Sequence, residues 1–343
     1  MSRAVGRAVL TGLLLAPAVL SACASGPPPL TPEQVRSAHP TPPTPEPTVV
    51  PATHLLDRAY VAGGDEAQKL DLTVPGGYRG PRPVVVFIHG GAWKEGDRGS
   101  FERRDGTNFA ALRTRLLEQG WATASIGYRF TDVARMPAQL HDAKAAVRWL
   151  YAHAGRYGLD RDRIAVVGES AGGHLAQLVG DTRGDAAAEG TLGVTNGAKS
   201  DVVAVVSYYG VADLRRLVAD RVAAGCGTGD AGRASPEGRL IGADPAAPAA
   251  ARAADAASPI GHVSPSSAPT FFLHGRRDCV VPAAQSRRAA QALTSAGVPA
   301  QVETIDAGHA DPRFFTTPAL QDRVVDFLTR YLGAPDRTAD PTT

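Results

Sequence analysis

Six short runs rich in apolar and β-branched residues recur along the chain, at 84–88, 122–126, 164–167, 202–206, 270–273 and 301–305, and several are apolar throughout. A run without polar alternation predicts a strand covered on both faces, and such strands belong to parallel sheets. Between them, 108–119, 137–154, 282–296 and 318–332 repeat apolar residues at three- and four-residue spacing, which predicts helices that each bury one face. Pro137 and Pro282 stand where a first helical turn accepts proline. Strand and helix alternating in this way predict an α/β fold, a mostly parallel, doubly wound sheet flanked by helices, with its ligand crevice beyond the carboxyl ends of the strands. Residues 210–262 break the rhythm with glycines, prolines and an alanine-rich run. They read as a small cap-like excursion over the sheet, carrying one or two helices and forming one wall of a pocket.

The two ends follow other rules. Residues 1–22 run from a basic start at Arg3 and Arg7 through an apolar stretch to small residues, the layout of a signal peptide and too short for a membrane span. The stretch closes on Leu20-Ser21-Ala22-Cys23, which resembles the lipobox of bacterial lipoproteins. That resemblance implies lipidation of Cys23 and a protein held on the outer face of a bacterial membrane by its acyl chains. The competing reading is an ordinary signal peptide with a chance cysteine. Residues 23–53 are dense in proline and threonine and read as an extended tether. The folded domain is then expected over 54–334, followed by a flexible tail at 335–343.

Composition adds exclusions more than assignments. The 343 residues are 43% hydrophobic and 20% charged, ordinary globular values, and a formal net charge of +2 gives no overall excess for phosphates to answer. Nucleic acid is therefore not an expected partner. Of the three cysteines, a lipidated Cys23 leaves Cys226 and Cys279 as a pair in an oxidising compartment, open either to a disulfide or to two free thiols. No His/Cys/Asp cluster has metal-ligand spacing, and neither metal nor cofactor is expected.

The chemistry is concentrated at the ends of the predicted strands. Gly168-Glu169-Ser170-Ala171-Gly172 follows the strand at 164–167 and precedes a helical start at Gly173. In that setting G-x-S-x-G lifts a serine hydroxyl above a sheet at a helix N-terminus, where N–H groups face a developing oxyanion. Serine needs a base and an orienting acid. Of nine histidines, His39 lies in the tether, His54 precedes the predicted strands, and His141, His153 and His174 fall in helical patterns. His262 lies in the excursion, and His274 ends a strand beside a candidate acid, as a structural histidine would. His309, in the Asp306-Ala307-Gly308-His309 loop after a strand, remains as the base. Asp278 is the candidate acid, in the loop after 270–273; Asp306 and Glu303 are the runners-up, and Asp142 and Asp213 read as structural. The order Ser170, Asp278, His309 is that of α/β-hydrolases.

His89-Gly90-Gly91-Ala92-Trp93 directly follows the strand at 84–88, and consecutive glycines there let backbone N–H groups face the crevice. Taken with GESAGG, HGRRD and AGH, the segment gives a clear resemblance over about 54–332 to the α/β-hydrolase superfamily. Within it the chain is similar to bacterial carboxylesterases of the hormone-sensitive lipase and BD-FAE groups. The resemblance implies an α/β-hydrolase fold, a small-molecule ester as substrate, and an oxyanion hole from Gly91 and Ala92 with Ala171, Gly90 competing with Ala92 as a donor. Ala92 departs from the third glycine of many hormone-sensitive lipase relatives. Kynurenine formamidases carry a similar HGG-x-W segment, so an amide-cleaving hydrolase, formamidase or peptidase, stays open beside the ester reading; a non-catalytic surface binding protein is the third. Trp93 and Tyr128 are expected to line the pocket.

Overall fold

A computed structural model of the protein describes residues 52–101 and 109–337. The segment expected to be a signal peptide, Cys23 and the expected tether up to Pro51 lie outside the described residues. Eight strands form one sheet: β1 Thr53–Ala59, β2 Lys69–Val74, β3 Arg82–Ile88, β4 Ala122–Ile126, β5 Leu159–Glu169, β6 Ala204–Tyr208, β7 Thr270–Gly275 and β8 Ala300–Ile305. The order is β1-β2-β4-β3-β5-β6-β7-β8. Pairs β1–β2 and β2–β4 are antiparallel, and the rest are parallel, as the doubly apolar runs predict.

Ten α-helices accompany the sheet among the described residues: α1 Ala110–Glu118, α2 Ala138–Tyr157, α3 Ala171–Asp181, α4 Ala186–Glu189, α5 Leu217–Ala223, α6 Pro236–Ile241, α7 Ala251–Ala256, α8 Ala284–Ser295, α9 Arg313–Thr316 and α10 Pro318–Leu332. Strand β3 shows how two periods meet. Its alternate residues Val84, Val86 and Ile88 join a core with Val147 and Leu150 of α2 and Leu175 and Val179 of α3. Val85 and Phe87 point the other way, into a core with Leu112 and Leu116 of α1 and Val324 and Leu328 of α10. Period 2 in the strand thus feeds two helical layers. A third, smaller core sets Phe272 of β7 against Ala289 and Leu293 of α8.

Parallel register brings the strand ends to one edge. Ile88 pairs with Gly168, Glu169 with Tyr208, and Gly275 with Ile305. The segments that follow β3, β5, β7 and β8 therefore converge on one crevice.

Three expectations are corrected. Strands β1 and β2 extend the sheet, and His54 lies within β1, its Nδ1 3.0 Å from Thr73 Oγ1. The excursion at 210–262 carries three short helices, α5, α6 and α7, with 3-10 turns at Pro248–Ala250 and Pro259–His262. Met136, Leu140, Ile241, Ala253 and Ala257 wall a hollow of about 280 Å³ that neither Ser170 nor His309 lines. The tail from 335 is tied down as far as Arg337: the Arg79 N–H donates to Asp336 O at 2.8 Å, and Arg337 bridges Tyr78; 338–343 lie outside the described residues.

Cys226, just past α5, and Cys279, in the loop after β7, form a disulfide with Cα atoms 5.3 Å apart and a sequence separation of 53. Closing a loop of that length is worth about 4 kcal/mol in the chain-entropy account. Replacing both cysteines with serine is expected to lower the unfolding free energy by about that much, read from urea unfolding followed by circular dichroism. A loss below about 1 kcal/mol would mean that the unreduced, unfolded chain gains no constraint from the bridge.

Candidate active site

Ser170 sits between β5 and α3 with φ 50° and ψ −117°, a backbone conformation sparsely populated outside glycine. Two backbone hydrogen bonds hold it there: the Ser170 N–H donates to Tyr208 O at 2.9 Å, and the His174 N–H to Ser170 O at 2.9 Å. Gly172 allows the turn to seat, because a Cβ at that position would lie 2.0 Å from the Ile88 carbonyl oxygen. The elbow thus presses directly on the strand that leads into the 89–93 loop.

His309 and Asp278 complete a hydrogen-bonded line. The Ser170 hydroxyl donates to His309 Nε2 at 3.0 Å, and His309 Nδ1–H donates to Asp278 Oδ2 at 2.7 Å. The tautomer follows from the carboxylate, which can only accept. Asp278 is wholly buried, and its Oδ1 accepts from the N–H groups of Val280 and Val281 at 2.9 and 2.8 Å. Burial alone would push its carboxyl pKa up, but hydrogen bonds from His274 and His309 outweigh that and hold it down at about 2. His274, also buried, has Nε2 2.6 Å from Val281 O and 3.4 Å from Asp278 Oδ2, while its Nδ1 lies 2.7 Å from Ser286 Oγ. It braces the acid loop from behind.

The other candidates turn elsewhere. Asp306 pairs with Arg277 at 2.9 Å and Glu303 with Arg323. Asp142 accepts from Arg129 and Gln68 beneath the surface, and Asp213 accepts from the Arg216 N–H. His141, His153 and His262 are each bonded to a backbone carbonyl. Among the described histidines, only His309 bonds to Ser170.

The loop after β3 has three successive residues in the left-handed region, Gly91 at φ 99°, Ala92 at 53° and Trp93 at 56°. Among the described residues none accepts from the N–H of Gly91, Ala92 or Ala171, whereas the Gly90 N–H faces Glu169 Oε1 at 3.4 Å. Of the competing donors, Gly90 is thereby engaged, and Gly91 and Ala92 are open to a ligand.

Trp93 and Tyr128 do not line the crevice. Trp93 is 2% exposed and donates from Nε1 to His174 Nδ1 at 3.2 Å; Tyr128 is fully buried, its hydroxyl 3.0 Å from His89 O and 3.1 Å from Gly90 O. Both hold the strained loop from inside, where apolar bulk offsets the backbone cost. His174 passes the restraint on, donating from Nε2 to Ala257 O at 2.7 Å in the excursion. Burial keeps His174 neutral by lowering its pKa to about 4.

Sequence reasoning missed Tyr209 and Glu169. The Tyr209 hydroxyl donates to Glu169 Oε2 at 2.7 Å, and its ring meets that of His309 edge to face at 4.7 Å. The pair ties the residue before Ser170 to the imidazole. Its one signal was position, since Tyr209 lies just past the carboxyl end of the predicted strand at 202–206.

A mostly parallel sheet with a serine elbow after its central strand, and acid and histidine on the next loops along, defines an α/β-hydrolase fold. Solved structures agree. A truncated carbohydrate esterase from gut microbiota superposes with a TM-score of 0.71 at 27% identity, covering 82% of this chain and 96% of that one. An esterase from the Planctomycetes species Thermogutta terrifontis superposes with a TM-score of 0.61 at 22% identity, covering 87% and 97%. In sequence, Esterase LipC of Mycobacterium tuberculosis is 33% identical over 286 residues, 78% of this chain and 64% of LipC. The probable carboxylic ester hydrolase LipM of the same organism is 34% identical over 221 residues, 64% of this chain and 45% of LipM. The chain thus spans about half to two thirds of the length of these curated relatives. The BD-FAE family profile matches residues 70–293, and the chain belongs to that family.

Proposed function

We propose that this chain is a carboxylesterase that cleaves small-molecule esters through an acyl-enzyme on Ser170. The observation that carries the reading is the unbroken relay from the Ser170 hydroxyl through His309 to a buried, ionised Asp278. His309 Nε2 takes the hydroxyl proton as Oγ bonds to the ester carbon, and the carbonyl electron pair moves onto oxygen. The N–H groups of Gly91, Ala92 and Ala171 receive that oxyanion, and preorganised donors of this kind act most strongly where charge develops. The pair returns to form the carbonyl, the C–O bond to the alcohol breaks, and Nε2 gives its proton to the leaving oxygen. Water then repeats the sequence and frees the acid and Ser170.

The ester names carried by LipC, LipM and the gut carbohydrate esterase support this class of bond. The test is to offer the full chain nitrophenyl esters of rising acyl length beside an anilide and N-formylkynurenine, with a fluorophosphonate as the covalent probe. Ester turnover with labelling of Ser170 is expected. Faster turnover of the anilide or the formamide would replace the reading by an amidase, and silence with no label would leave a binding protein.

The protein is further proposed to be exported and anchored through a lipid on Cys23. The Cys226–Cys279 disulfide supports an oxidising compartment. Alkyne-palmitate fed to a bacterial host is expected to label the wild type and not Cys23→Ser; equal labelling of both would overturn the anchor.

A further inference from the structure

The near-neutral composition conceals a local imbalance beside the oxyanion loop. A cleft of about 370 Å³ is lined by Lys94, Arg135, Arg233 and Arg239, with Asp132 the one acid on its wall. Lys94 lies two residues past Ala92 on the same loop and comes within 3.7 Å of the exposed Glu95 carboxylate. Among the described residues, no carboxylate lies within ion-pair distance of Arg135, Arg233 or Arg239.

The arginines are placed by the backbone. The Thr131 N–H donates to Trp93 O at 2.9 Å, and the Met136 N–H to Leu240 O at 3.0 Å, so the 131–136 segment joins the loop after β3 to α6. Gly242, the C-cap of α6 with φ 77°, makes room for the Arg135 guanidinium, which lies 2.5 Å from where a Cβ would stand. The cations thus come from the oxyanion loop, the segment behind it and both ends of α6, and they converge with Asp132 the one acid on the wall and, among the described residues, no carboxylate within ion-pair distance of the three arginines.

Resting on the esterase reading, we propose that this cleft binds a carboxylate carried by the substrate at a distance from the scissile ester, so that the preferred esters are anionic. Arginine forks match carboxylate oxygens in pairs, and a convergent positive field also speeds the approach of an anion. The field acts over about a Debye length, so the preference weakens in salt.

The experiment compares charged and neutral partners in two arms on the full chain. For an acyl-side carboxylate the pair is 4-nitrophenyl hydrogen adipate and its methyl ester; for an alcohol-side carboxylate it is 4-acetoxybenzoate and methyl 4-acetoxybenzoate. In one arm kcat/KM is expected to favour the anion about tenfold at low salt, and the arm that responds tells which side of the ester carries the charge. The ratio is expected to shrink in 0.5 M sodium chloride and to fall to about one in the Arg135→Gln/Arg239→Gln variant, with its melting temperature measured beside it. Hydrolysis of the neutral esters with no preference in either arm, or a preference that survives both salt and substitution, overturns the proposal while leaving the esterase reading intact. No hydrolysis of any of the four overturns the esterase reading, and this one with it.

Discussion

Replacing Ser170 with alanine is expected to lower kcat for a nitrophenyl ester by roughly a millionfold, to the residue of catalysis that binding and the loop amides supply alone. The magnitude follows from the route lost. Without Oγ there is no acyl-enzyme, and His309 has no hydroxyl within its 3.0 Å reach to deprotonate. His309→Ala is expected to cost about as much, because a serine hydroxyl without its base is a poor nucleophile. The double variant should then be no slower than either single one, since the two side chains act as one device. Steady-state kcat on the three variants checks this. Activity within tenfold of wild type in Ser170→Ala would dismiss the relay as the source of hydrolysis.

Asp278→Asn is expected to cost roughly 10⁴-fold in kcat with little movement of the backbone. An amide can donate as well as accept, so it permits the tautomer with the proton on His309 Nε2, where the Ser170 proton must go. The carboxyl titrates at about 2, so the wild-type carboxylate is ionised from alkaline pH down to pH 4. The substitution also has a stability cost. A folded pKa depressed from 3.8 to about 2 contributes about 2 kcal/mol, present above pH 3.8 and lost as pH falls through 2. Asp278→Asn should thus lower the melting temperature at pH 7 and narrow its difference from wild type near pH 2. A kcat loss under tenfold would make Asp278 a structural acid and reopen the search among its neighbours.

The sequence revealed the central strands because Val84 to Ile88 and Val202 to Val206 are apolar on both faces, a pattern only double coverage explains. It was silent about β1 and β2 for the converse reason. Strand β1 is largely exposed at the sheet edge, and β2 alternates Leu70 and Leu72 with Asp71 and Thr73, whose polarity is met by partners far along the chain. The site was legible where a motif forces backbone form, as at Gly168-Glu169-Ser170-Ala171-Gly172, and where a loop follows a recognisable strand, as at Asp278 and His309. Trp93 and Tyr128 were misplaced because an aromatic side chain beside a crevice reads the same whether it faces in or out. The cationic cleft was hidden altogether: Lys94, Arg135, Arg233 and Arg239 are scattered over 146 residue positions, and only the packing of the 131–136 segment against α6 gathers them.

The close seating of Gly172 on β3 has a consequence for how such a molecule can change over generations. Where peptide touches peptide, no side chain intervenes whose replacement could reset the spacing between the elbow and the end of β3. The excursion is built otherwise, from short helices whose exposed arginines and small alanines can be exchanged singly. A change of side chain at 217–262 therefore leaves intact the peptide contact that seats the elbow on β3, and the two parts of the molecule are free to vary at different rates.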